Sequence, residues 1–171
     1  MKRWLYAWML SVLILAGSID ARADAEWPIL EGKDLFQIAF PHNPLCTRFD
    51  SKTGDGDPLI FQICMMEKDR LTLSLQTALF PAGTDLTPAL WGAIDSVAKN
   101  FQTTEWTRKQ AIRYQRHDAV EALGAGKDGS LHRVRAVAAD GRLYIQVGIA
   151  WAGRRDAASL DRFFGSLKLL H

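Results

Sequence analysis

This 171-residue sequence lacks the clusters that usually carry chemistry. Its two cysteines stand eighteen positions apart and its four histidines are scattered, so no Cys-x-x-Cys pair and no Cys/His group at metal-ligand spacing occurs. Neither His-Glu-x-x-His nor the Gly-x-Ser-x-Gly elbow of serine hydrolases is present. Internal repeats and low-complexity tracts are absent. After residue 17 no apolar run approaches the roughly 20 residues that span a bilayer. No catalytic residues, metal or cofactor are expected, and an enzyme is the lesser reading.

A strong net charge is also missing, and what charge there is depends on the N-terminus. Lys2 and Arg3 precede an apolar run from Trp4 to Gly17, and Ala21-Arg22-Ala23 offers the small-x-small pattern of signal-peptidase cleavage. Residues 1–23 therefore read as a cleaved signal peptide, and 24–171 as a single exported domain, periplasmic or secreted. No cysteine follows the apolar run to take a lipid, so no stable membrane anchor is expected after cleavage. The mature chain would hold 18 basic and 18 acidic residues, which argues against nucleic acid as a partner. The charges are uneven: residues 24–100 carry 6 basic and 11 acidic side chains, and residues 101–171 carry 12 and 7. Attraction between the two halves of a sheet is the simpler reading of that split, and an anion-binding surface the sharper one.

The most legible stretch is Ser130–Trp151. Asp140-Gly141, flanked by apolar runs, suits a two-residue hairpin turn in which both central residues take positive φ. That turn sets Ala139 opposite Arg142, Val137 opposite Tyr144, Arg135 opposite Gln146 and Arg133 opposite Gly148. The alternate set, His132, Val134, Ala136 and Ala138 with Leu143, Ile145, Val147 and Ile149, is apolar apart from His132 and forms the core face. Arg133, Arg135, Tyr144 and Gln146 project from the other face. They are the candidate binding residues, because arginines beside a flat aromatic ring suit anions or the polar groups of a partner protein. The alternative is that a helix or loop covers this face and acids from the acidic half pair with the arginines.

Elsewhere, Asp24–Asp34 reads as a loose lead-in, Phe36, Ile38 and Phe40 as one face of a short strand, and Leu45–Asp50 and Leu59–Glu67 as a hairpin around a turn-rich loop. Cys46 and Cys64 lie equidistant from Asp55 in that loop, so they can oppose each other and form a disulfide on export. Two free buried cysteines are the alternative. Arg70–Phe80 alternates as a strand with one covered face. Thr87-Pro88 reads as N-cap and first helical residue of a main helix to Phe101, with Leu90, Ile94, Val97 and Phe101 at helical spacing. Two further strands follow, Trp106–Arg116 and Val120–Gly126. A longer, odd-numbered loop after the second keeps Val120 and Ala122 inward and Glu121 off the core face, since an unpaired buried carboxylate is costly. Asp156 is a predicted N-cap for a short C-terminal helix over Ala157–Phe164, and Ser166–Leu170 a closing strand.

Two tempting motifs weaken on context. Gly124-Ala125-Gly126-Lys127-Asp128-Gly129 matches Gly-x-Gly-x-x-Gly, but a strand follows where phosphate binding needs a helix N-terminus, so it reads as a turn. Asp50, Asp55 and Asp57 hint at calcium, but Lys52 stands where the EF-hand pattern needs a ligand, and a solvated hairpin tip is the better reading. Among His42, His117, His132 and His171, only His132 sits on a predicted core face, where a bond to a backbone carbonyl would satisfy it.

Phe36-x-Ile38-x-Phe40-Pro41-x-x-Pro44, Gly141-Arg142-Leu143-Tyr144 and Arg162-Phe163-Phe164-x-Ser166-Leu167 together resemble small exported bacterial proteins of unassigned function. The order of elements is similar to the PsbP-like fold, an antiparallel sheet sandwiched by helices. Members of that fold include an extrinsic photosystem subunit and a nuclear-import factor, which act by binding other proteins. The resemblance thus implies a non-enzymatic binding or accessory role. It aligns no metal-binding or photosystem-docking residue with this chain, and the cysteine pair lies outside the shared pattern.

The expectation is an α+β, PsbP-like sandwich of six to eight mostly antiparallel strands with one main and one short C-terminal helix. Its expected function is to bind a protein or an anionic envelope component through Arg133, Arg135, Tyr144 and Gln146. The alternatives are a carrier with an apolar cleft between helix and sheet, and a hydrolase built on His132.

Overall fold

The computed structural model describes residues 26–52, 56, 58–153 and 156–170. The expected signal segment lies outside them, as do Asp55, Asp57, the Arg154-Arg155 turn and His171. In chain order the elements are β1 (Ile29–Glu31), β2 (Phe36–Ala39), β3 (Leu45–Lys52), β4 (Pro58–Lys68), β5 (Leu71–Leu79), α1 (Thr87–Asn100), β6 (Thr103–Tyr114), β7 (His117–Gly126), β8 (Leu131–Ala139), β9 (Arg142–Ala150), α2 (Ala157–Ser166) and β10 (Lys168–Leu169).

Seven strands form one antiparallel sheet in the order β3-β4-β5-β9-β8-β7-β6, and β1-β2-β10 form a second. The large sheet's seven strands fall within the expected six to eight, and the small sheet is additional because the supposed lead-in is structured. Ile29–Glu31 pairs with β2, whose Phe36 and Ile38, together with Phe40 just beyond it, are buried. β10 closes the other edge of β2.

The central hairpin has the register its turn dictates. Asp140 and Gly141 take φ of 48° and 71°, and each β8–β9 pair from Ala139 with Arg142 to His132 with Ile149 is the expected one. The β3–β4 hairpin sets Cys46 directly opposite Cys64, and the two form a disulfide with Cα atoms 4.0 Å apart.

β5 does not have one covered face: it is buried on both, as is β9. On one side α1 packs Leu90, Ile94 and Val97 against Val120, Val134, Ala136 and Val147. On the other, α2 and the small sheet bring Leu160, Phe163, Phe164 and Phe40 onto Leu73, Val137 and Tyr144. The N-cap residue is Leu86 at α1 and Asp156 at α2. Asp156 Oδ1 accepts from the Ser159 amide at 2.9 Å, as expected. At α1, Thr87 is the first helical residue instead of the cap, and Asp85 Oδ1 accepts its amide at 2.9 Å.

Five residues, 126–130, separate the last β7–β8 pair, Ala125 with Leu131, so Val120 and Ala122 face α1 as the longer loop requires. The charge split does not hold the halves of the sheet together. Among the described residues only Lys109–Asp95, at 2.6 Å, joins residues 101–171 to residues 24–100.

Candidate functional site

The face expected to be a binding surface is closed. Tyr144 and Gln146 are 0 % exposed and Arg135 only 8 %. The expectation assumed a sheet wet on one side, whereas α2 lies on this side and takes the polar groups for itself. Gln146 donates to the Phe163 carbonyl at 3.1 Å and Arg135 Nη1 to the Phe164 carbonyl at 2.7 Å, so the two side chains satisfy carbonyls near the helix C-terminus. Gly148 does not leave room for a ligand beside Arg133. A Cβ there would meet Leu160 Cδ2 at 2.6 Å and Phe164 Cε2 at 2.9 Å, so the space belongs to α2.

The acid that compensates these arginines is Glu121, from the basic half of the chain and not from the acidic one. β7–β8 pairing sets it opposite Arg135, which donates to Glu121 Oε2 through Nε at 3.1 Å and Nη2 at 2.6 Å. Arg133 reaches the same oxygen at 3.3 Å and Asp161 at 2.7 Å, while Arg108 holds Glu121 Oε1 at 3.0 Å. Burial alone would raise the Glu121 pKa, but Arg135 and Arg133 outweigh it and hold the carboxyl below its usual value. The Arg135 guanidinium stacks 4.4 Å from the Tyr114 ring and that of Arg133 4.6 Å from Phe164. This cluster ties β6, β7 and β8 to one another and to α2. Arg133 and Arg108 reach solvent at a cleft of about 230 Å³ against α2.

His132 is also satisfied inside the fold, by hydroxyl groups instead of a backbone carbonyl. Thr103 Oγ1 lies 2.7 Å from Nδ1, Ser130 Oγ lies 2.7 Å from Nε2, and Ser130 Oγ lies 2.6 Å from Asp128 Oδ1. Asp128 can only accept, so Ser130 donates to it, His132 Nε2–H donates to Ser130, and Thr103 donates to Nδ1. In that arrangement the imidazole is a donor to the serine and cannot take its proton, the opposite of what an activated nucleophile needs. Ser130 is 1 % exposed and His132 0 %. Burial holds the His132 pKa below its ordinary value, with Asp128 opposing.

The glycine motif serves this chain of hydrogen bonds. A Cβ on Gly126 would stand 2.3 Å from Ser130 Oγ and 2.9 Å from His132 Nε2, and one on Gly124 would stand 2.2 Å from the Glu105 carbonyl oxygen. Gly129 turns the chain at φ 80°. A strand follows, as expected of a turn.

A surface the sequence reading missed lies at the disulfide-bearing edge. On the α1 side of the large sheet, the helix covers β6 to β9 but not β3 and β4. Leu45, Phe49 and Met65 stand exposed there at 79, 44 and 42 %, beside half-buried Phe61 and Ile63. The Leu45–Met65 and Phe49–Phe61 cross-strand pairs make the patch continuous. Its signal in the sequence was apolar residues on both sets of alternating positions in β4. No described strand pairs with the outer edge of β3.

No family model matches the chain, and no curated protein matches it by sequence. Among solved structures it is similar to cyanobacterial PsbP (CyanoP) from Synechocystis sp. PCC 6803, with a TM-score of 0.56 and 14 % identity over 90 % of this chain and 98 % of that one. It therefore has the PsbP-like fold. A weaker likeness, TM-score 0.36 and 10 % identity over 80 % of this chain and 87 % of that one, is to PA94 of Pseudomonas aeruginosa, a protein of unknown function.

Proposed function

We propose that this protein is an exported, non-enzymatic accessory protein that binds a partner protein along the β3 edge. The observation that carries this is the contrast between the two open edges of the large sheet. β6 has two register irregularities and exposed Glu105, Arg108, Lys109 and Arg113, the features with which sheets discourage pairing. β3 pairs regularly over eight residues, is exposed throughout, and adjoins the apolar patch of Leu45, Phe49 and Met65. A partner strand added to β3 would gain main-chain hydrogen bonds and bury that patch through its alternate side chains. Export is supported by the signal-like N-terminus together with the disulfide. A binding role also accords with what the PsbP-like resemblance implies.

The test is photo-crosslinking in intact cells from an aryl-ketone amino acid placed at Phe49 or Met65, with Lys99 as control. A protein adduct formed from the patch, absent from the control and lost on Leu45→Glu, supports the proposal. Equal adducts from all positions, or none from the patch, overturn it; an adduct at twice the chain mass assigns the edge to self-association instead.

A further inference from the structure

On the other face of the same edge, the register lines up a row of polar side chains across four strands: Arg48 on β3, Gln62 on β4, Thr77 on β5 and Tyr144 on β9. In the adjacent row Asp50, Ile60, Leu79 and Arg142 follow one another, with Asp50 at the outer edge beyond the cleft lining. The small sheet does not close over these rows. It brings Phe36 edge-on to Tyr144, with ring centroids 6.0 Å apart, and its Gly32–Leu35 turn overhangs a cleft of about 370 Å³. Lys33 of that turn lines the cleft with Arg48 and Arg142, and Glu31 is the one acid lining it.

Two features set this cleft apart from an ordinary groove between layers. Lys33, Arg48 and Arg142 form no salt bridge with a described residue, and Glu31 takes its hydrogen bond from Gln37. The Thr77 side chain, 8 % exposed, makes no hydrogen bond with a described residue, and Gln62 makes only a 3.6 Å contact from Nε2 to Cys64 Sγ, which leaves its carbonyl oxygen open. An excess of positive charge thus stands over a floor where Thr77 and Gln62 present polar groups not taken up by other side chains, between apolar walls from Phe36, Ile60 and Leu79. Polar and apolar lining are about equally represented, which suits a ligand with one charged end and one apolar end.

We infer that this cleft binds a small amphiphilic carboxylate. Its carboxylate meets the guanidinium groups of Arg48 and Arg142, its apolar body lies against Phe36, Ile60 and Leu79, and Thr77 and Gln62 take a polar substituent where one is present. The site is independent of the proposed partner surface. Arg48 and Phe49 are neighbours in β3 and so point to opposite faces of the sheet.

Decanoate, decanol and inorganic phosphate, titrated separately into ¹⁵N-labelled protein, test the assignment. Decanoate should shift the Gln62, Thr77 and Tyr144 amides saturably, and Arg48→Glu with Arg142→Glu should weaken it about tenfold or more, as loss of charge-assisted hydrogen bonds requires. Both arginines reach solvent, and an unchanged spectrum over β7 and β8 shows that the variant is folded. Thr77→Trp, which fills the cleft without changing charge, should also abolish the shifts. Absence of saturable shifts, equal binding of decanol, equal binding of phosphate, or an unaltered affinity in the charge-reversed variant overturns the inference.

Discussion

Arg135 and Glu121 stand opposite each other across β7 and β8 and meet at 2.6 Å on the α2 side of the sheet, each about nine-tenths buried. A charge pair of this kind is far costlier to break than its net contribution suggests, because the survivor stays buried without a counter-charge. Glu121→Ala leaves Arg135 and Arg133 in that position. Urea denaturation should show a loss of about 3–5 kcal/mol. Replacing Arg135 and Glu121 together by apolar residues of similar size should cost clearly less than the single change.

Acid should destabilise the protein in two stages. His132 is held below its ordinary pKa by burial, so the unfolded chain binds the proton more readily than the folded one. Stability from this group is complete above the unfolded value of about 6.5 and declines as pH falls through it. Glu121 is likewise depressed by Arg135 and Arg133 against the opposing effect of burial, and its contribution is lost below the ordinary carboxylate value of about 4.3. Denaturation midpoints measured from about pH 8 down to about pH 2 should fall across both windows. His132→Gln should remove the upper step and leave the lower.

Removing the Cys46–Cys64 bridge by Cys46→Ser with Cys64→Ser should cost about 3 kcal/mol on chain-entropy grounds. The loss should be local at first, since β3 holds no buried side chain and pairs on one side only. Amide exchange should quicken in β3 while β8 and β9 remain protected. A thiol label that reacts with the protein in a periplasmic extract before reduction would show that the bridge does not form there.

Gly148→Ala should lower stability by about 1–3 kcal/mol, the usual penalty for overpacking a filled core. The added methyl meets Leu160 and Phe164, so α2 must lift from the sheet, and the Arg135–Phe164 hydrogen bond should weaken with it. A melting curve and exchange at the Arg135 guanidinium protons are the measurements. Gly141→Ala, which meets nothing but sits at φ 71°, separates backbone strain from collision.

Much of the architecture could be read along the chain where local chemistry is decisive. Asp140-Gly141 sets a register, Thr87-Pro88 announces a helix, Asp156 caps another, and the equal spacing of Cys46 and Cys64 about a hairpin loop allows their bond. Glu121 shows where such reading stops short. The odd-numbered loop correctly turned it away from α1, and the same register placed it opposite Arg135. That the far side of the sheet was equally buried left no trace in a strand of alternating residues.

The sequence by itself determined which residues share a face and which stand opposite, because turn geometry and the two-residue period of a strand are local properties. Only the tertiary structure decided what lies over each face. α2 closes the Arg135 and Gln146 face because its C-terminal carbonyls need donors and Gly148 admits its apolar side chains. The small sheet stops short of Arg48 and Arg142, and α1 does not cover β3 and β4. Coverage depends on contacts between elements far apart in the chain, and it decides which arginine faces are structural and which remain open to bind.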